Sequence, residues 1–274
     1  MKFCFYSATL RNFELSEAFR LISTAGYDGV ELTLIDPHMH MLKATNEQAR
    51  EAQKQCADLG LEIACACVAW PTLLSEELFE PSIIAADPKG RQQRIDSIRR
   101  SIEIAHHLDC PVVNIVSSFP PGGVPTERAR EWFLEGINTL LPELGDKVLV
   151  VEPEPDFFVE TTTDAIEFIK EINSPGFRLM MDIGHVYISE KDCYGAIERA
   201  LPYTRHIHIE DIKDMVHDHL RLGEGDIDFE RIAAIMKAAN YQHFISVELQ
   251  NHLVEWQRAL YESRDYLRKM FAMA

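Results

Sequence analysis

Eight short apolar runs of strand-like composition recur along this chain, and the longer stretches between them carry helical periodicity. The runs are KFCFYS (2–7), GVELTL (29–34), EIACACV (62–68), VVNIVS (112–117), KVLVVEPE (147–154), FRLMMDIG (177–184), TRHIHIED (204–211) and HFISVEL (243–249). Between them, apolar residues fall three or four apart, as in Leu15, Ala18, Phe19, Ile22 and Ala25, or Ile232, Ile235, Met236 and Ala239. That spacing lines one face of a helix. Turn residues mark the joins at AGYDG (25–29), LGLE (59–62), LDCP (108–111) and NSPG (173–176). Strand plus helix repeated eight times predicts an α/β fold, a parallel eight-stranded (β/α)8 TIM barrel, with residues 1–274 as a single domain. A doubly wound open sheet is the alternative, but no Gly-rich phosphate fingerprint follows the first strand.

Composition excludes several other classes. The 46% hydrophobic share supplies a sizeable core, yet no stretch reaches the roughly 18 uninterrupted apolar residues of a membrane helix. MKFCFYSATLRNFE lacks the basic region, long apolar run and cleavage site of a signal peptide. Cys4, Cys56, Cys65, Cys67, Cys110 and Cys193 show no CxxC spacing and read as reduced apolar filler. The expectation is a cytoplasmic protein without a membrane partner. A net charge of −17 would repel a phosphate backbone, so nucleic acid is not an expected partner.

In a barrel of this kind, reactive groups collect where strands end, at the C-terminal mouth. Four later runs finish on a potential ligand: VLVVE on Glu152, LMMD on Asp182, HIH on His208 and ISVE on Glu248. Strand alternation puts Glu152 on the side of Val150 and Val148, Asp182 with Met180, and Glu248 with Ser246, all pointing inward. Each residue alone reads as a strand ending at a polar rim; four at matching ends argue otherwise. Three buried carboxylates repel one another and attract a cation. Oxygen-rich ligation with one imidazole suits Mn²⁺ or Mg²⁺ best, and Co²⁺, Fe²⁺ or Zn²⁺ would also fit.

GYDGVEL (26–32), VEPE (151–154), DIGH (182–185), HIHIED (206–211), HLRLGEGDIDF (219–229) and VEL (247–249), in this order, resemble the xylose isomerase-like barrels. The resemblance is to the sugar phosphate isomerase/epimerase group, which includes the tagatose and psicose 3-epimerases, and it spans nearly the whole chain. It implies that Glu152, Asp182, His208 and Glu248 are the metal ligands, that Glu152 and Glu248 are the acid/base pair, and that His185 touches substrate oxygens. Departures matter too. Many ketose 3-epimerases carry a further glutamate where this chain has Phe158, with Glu154 and Glu160 nearby, and HIEDIKDMV lacks their substrate-binding arginine, leaving Arg221 or Lys213 as substitutes.

HLRLGEG also resembles endonuclease IV-type nucleases, which would make His217 and His219 ligands of a second metal. Ala69-Trp70 and Ser117-Ser118 stand where those nucleases use further histidines, so a full trinuclear site is not expected, and His219 is read first as a pocket residue. His206 reads as a hydrogen-bonded histidine lower in the barrel. Glu210 and Asp211 would either orient a ligand or be solvated. Trp70 would stack on a sugar face or cover the mouth. His38 and His40 read as loop residues, and His106 and His107 as mid-helix residues without chemistry.

The expected function is a metal-dependent isomerase or epimerase of a small keto sugar, sugar derivative or inositol-like ketone. It would act through an enediolate with two glutamates as acid and base. A dehydratase or lyase on a keto-polyol is the alternative, and a catalytically silent binding protein a third reading. No Lys/Arg cluster stands out, which favours unphosphorylated carbohydrate. Family analogy adds a homo-oligomer packed through the outer helices.

Overall fold

The computed structural model describes residues 1–273. The strands are β1 (Lys2–Tyr6), β2 (Gly29–Thr33), β3 (Glu62–Cys67), β4 (Val112–Val116), β5 (Val148–Glu152), β6 (Phe177–Asp182), β7 (Thr204–Ile209), β8 (Asp211–Lys213), β9 (Val216–Leu220) and β10 (Phe244–Val247). All but β8 and β9 close a barrel in the order β1-β10-β7-β6-β5-β4-β3-β2, with every neighbouring pair parallel. The expected (β/α)8 barrel is the observed one. β8 and β9 form a separate antiparallel hairpin beyond β7.

The outer ring comprises α1 (Leu15–Ala25), α2 (Asn46–Asp58), α3 (Pro88–His107), α4 (Thr126–Leu140), α5 (Thr162–Ile172), α6 (Ile183–Ser189), α7 (Cys193–Ala200), α8 (Phe229–Ala238) and α9 (Trp256–Met273). Their starts follow from side-chain chemistry. Thr45 with Gln48 and Thr161 with Asp164 form capping boxes on α2 and α5, and Asp87 caps α3 ahead of Pro88. Each satisfies backbone N–H groups that the first helical turn leaves unpaired. Gly29 lets β2 begin tightly beside β3, since a Cβ there would lie 2.5 Å from the Glu62 carbonyl oxygen.

In β6 and β7 an aspartate ends the strand two residues before the apolar run does. The Asp182 carboxylate accepts the His185 N–H at 2.8 Å, which caps α6 and turns the chain out of β6 immediately. Asp211 accepts backbone N–H groups from Ile212, Gly223, Gly225 and Ile227, so TRHIHIED breaks at Glu210 and the hairpin starts there. Asp211 is thus a loop anchor that binds backbone, and it orients no ligand imidazole. His106 and His107 occupy the last turn of α3, not its middle; they bond Glu143 and Arg50.

The main core lies between sheet and helices, while the lumen is filled in small layers. Cys4, Ala64 and Phe244 pack near the N-terminal end, followed by Cys65, Val112, Val150 and Met180. Tyr6, Ala8 and Cys67 form another apolar patch further along the strands. Among these sit buried polar side chains: Glu31, Asn114, His206, His208 and Ser246. Among the described residues no helix is long and apolar enough to cross a membrane, and the six cysteines are buried and unpaired.

Candidate active site

Glu152 is the last residue of β5, Asp182 the last of β6, His208 stands one residue before the end of β7, and Glu248 follows β10. Strand register places Asp182 beside His208, and His208 beside Ser246 two residues before Glu248. All four side chains are buried, and one ligand atom from each lies within 4.8 Å of the others. The His208 Nδ1 faces Glu248 Oε2 at 2.7 Å, Glu152 Oε1 at 3.0 Å and Asp182 Oδ2 at 3.7 Å.

One imidazole nitrogen carries at most one proton, so it cannot satisfy three carboxylates. Asp182 Oδ2 and Glu248 Oε2 have no hydrogen-bond partner within the protein. A buried polar atom without a partner is costly, and a buried charge more so. Three carboxylate oxygens and one imidazole nitrogen converging on a point are a suitable donor set for a divalent cation, and the residues present fit one.

The surrounding charges tune this cluster. Burial pushes Glu248 up to about 7 against the pull of His208, with Glu152 and Asp182 adding to the rise. Burial opposes the charge on Asp182, but His185, Glu210 and His208 hold its carboxyl below the ordinary range. Burial would discharge His208, yet Glu248, Glu31 and Glu152 raise it well above its usual value. Burial and the adjacent Asp182 push Glu210 well above the carboxylate range. Gly184 makes room for this carboxyl; a Cβ there would lie 1.8 Å from Glu210 Oε1.

His185 stands at the edge of the cluster. Its Nδ1 donates to the Pro153 carbonyl at 2.9 Å, and its Nε2 lies 3.0 Å from His217 Nε2. Burial works against its charge, but Asp182 and Glu154 raise it to about 9. Burial pushes Glu154 up to about 8 against His185. The hairpin brings His217 and His219 over His185, and these three form a second group with ligand atoms within 4.8 Å of one another. Burial and neighbouring His217 lower His219 to about 3, so it is a neutral donor.

A cavity of about 40 Å³ opens onto Glu152 and Glu248, and Glu154, His185, His219, Phe79 and Gln250 also line it. Arg221 does not join them: its guanidinium is turned toward Glu224, Glu255 and Glu262. Lys213 is exposed on the hairpin. Trp70 packs on the Tyr6–Cys67 patch under the Arg11 guanidinium, 5.5 Å from its ring. Phe158 faces outward against Phe133 and Phe168. His38 is buried and reaches across to donate to the Leu10 carbonyl in the segment after β1, while His40 accepts from the Leu42 amide within its own loop.

Two further buried side chains, set inside strands and away from the mouth, support the cluster. Asn114, in the middle of β4, donates to Glu152 Oε2 at 2.8 Å. Glu31, in the middle of β2, accepts from both His206 and His208. Each interrupts a mostly apolar strand at its centre, and that interruption is the sequence signal for it.

A family model described as xylose isomerase-like TIM barrel matches residues 19–270. The L-ribulose-5-phosphate 3-epimerase UlaE of Shigella boydii is 22% identical over 263 residues, covering 94% of this chain and 90% of its own. Among solved structures, D-psicose 3-epimerase with D-tagatose from Clostridium cellulolyticum H10 superposes with a TM-score of 0.81 at 15% identity, covering 99% of both chains. The probable 3-DHS dehydratase AsbF of Bacillus anthracis gives a TM-score of 0.77 at 15% identity, covering 98% of this chain and 99% of that one.

Proposed function

Because the chain belongs to the xylose isomerase-like TIM barrel family, we propose that it is a divalent-metal-dependent epimerase or isomerase of a small, unphosphorylated keto sugar or related ketone. The observation that carries this reading is the convergence of Glu152, Asp182 and Glu248 on the Nδ1 side of His208, with carboxylate oxygens left unpartnered. Manganese is the preferred occupant, and Mg²⁺, Co²⁺, Fe²⁺ or Zn²⁺ would be accommodated. When bound, the cation supplies an electrophile for a substrate carbonyl and its neighbouring hydroxyl, easing removal of the adjacent C–H proton.

The remaining work falls to side chains. Glu248, poised near neutrality, takes a proton from one face of the carbon, and Glu152 returns one from the other, which inverts that centre. Transfer along one face between adjacent carbons would interconvert aldose and ketose instead. Asn114 holds Glu152 by donating to its far oxygen, and His185, which lines the cavity, turns its Nε2–H from His217 to a substrate oxygen. Among the residues that line the cavity there is no lysine or arginine to bind a phosphate. This supports an uncharged substrate, whereas the Shigella relative is named for a phosphorylated one. The buried thiols fit a reducing, cytoplasmic setting.

The test is turnover in deuterated solvent with a panel of free and phosphorylated keto sugars and Mn²⁺. One solvent deuteron should enter the inverted carbon at each turnover. An unsaturated product would instead favour the dehydratase reading, for which the likeness to AsbF speaks. His185, His217 and His219 form the candidate site for a second, weaker cation. Zinc titration of the apoprotein should then show a second equivalent that His217→Ala removes; a single equivalent in both proteins would dismiss that site.

A further inference from the structure

Glu31 lies wholly buried in the lumen, on a strand separated from β7 by β1 and β10 in the barrel order. Its side chain crosses to β7, where a single oxygen, Oε2, receives His206 Nε2 at 2.9 Å and His208 Nε2 at 2.8 Å. An ionised carboxylate only accepts hydrogen bonds, so both imidazoles must present N–H at Nε2. For His208 this leaves Nδ1, the nitrogen that faces Glu152, Asp182 and Glu248, as the one able to offer a lone pair.

From this geometry we infer that Glu31 is the positioning residue of the cation site, fixing which nitrogen of His208 coordinates and aiming its lone pair at the three carboxylates. The inference rests on the reading that this cluster holds a divalent cation. His206 is the second half of the device. By donating to the same oxygen it holds Glu31 in place from the other side, which gives this histidine a purpose although it is no ligand.

Without Glu31 the His208 ring has no fixed partner on its Nε2 side, and either nitrogen can turn to the cation. The charge matters as well as the bond, because Glu31 adds a fourth carboxylate beneath the cluster and deepens its attraction for a dication. A carboxylate behind a metal-bound imidazole typically contributes about 10–100-fold in metal affinity.

The experiment titrates metal-free protein with Mn²⁺, following the free ion by electron paramagnetic resonance, for the wild type and for Glu31→Gln. Gln keeps the shape and an acceptor oxygen but removes the charge. Wild-type binding with about 10–100-fold weaker binding by the folded variant is the expected result. Equal affinities would overturn the role of Glu31 while leaving the metal site standing; no binding by the wild type would overturn both. A second measurement needs no variant. Histidine ¹⁵N spectra of the wild-type Zn²⁺ form should show His208 coordinated through Nδ1 with a proton on Nε2, and coordination through Nε2 would sink the inference even if Glu31→Gln does not fold.

Discussion

Glu152→Gln and Glu248→Gln should each lower kcat by about 10²–10⁴-fold, the usual contribution of a positioned acid or base. The two side chains approach His208 Nδ1 from β5 and from the end of β10, so they can serve opposite faces of a substrate held between them. That arrangement predicts more than a rate loss. Each variant retains one working carboxylate, and it should still wash deuterium into the epimer whose C–H faces that group, without inverting it. Exchange by mass spectrometry or proton NMR would separate the two half-reactions. Metal content must be measured alongside, because both glutamates also offer ligand oxygens; a variant that keeps its metal and epimerises within tenfold of wild type has lost no acid or base.

His208→Ala is expected to have the second large effect, on the protein itself. The imidazole is the cationic partner of Glu31, Glu152 and Glu248, all buried. Removing one member of a buried ion pair leaves uncompensated charge and costs about 3–5 kcal/mol. For a domain of this size that corresponds to a melting temperature lower by on the order of 10 °C. Elemental analysis of chelator-free preparations should give about one divalent ion per chain for wild type and none for the variant. Calorimetry on both metal-free proteins isolates the charge effect from the loss of ligand. A variant that binds metal normally and melts like wild type would remove His208 from the site.

Much of this architecture was legible in the residues because strand composition, helical spacing and turn residues agree along the whole chain. Glu152, Asp182, His208 and Glu248 could be picked out because each closes a run of β-branched or apolar residues, where inward alternation meets the mouth. What lay across the lumen was harder to read. Glu31 and His208 are 177 positions apart in sequence, and only barrel closure brings β2 opposite β7. Arg221 illustrates the reverse case. Its place beside the histidine-rich hairpin suggested substrate, but α9 supplies Glu255 and Glu262, and those carboxylates claim its guanidinium. Asp211 was equally ambiguous, since nothing local announces that Gly223, Gly225 and Ile227 return to it.

The donors of the central cluster belong to strands or stand one residue beyond them, whereas Phe79, His219 and Gln250 reach the cavity from loops and the hairpin. This division makes the molecule modular under selection. Lineages or engineers can exchange the hairpin and mouth loops to admit a different carbon skeleton, while the reactive floor is inherited unchanged with the barrel.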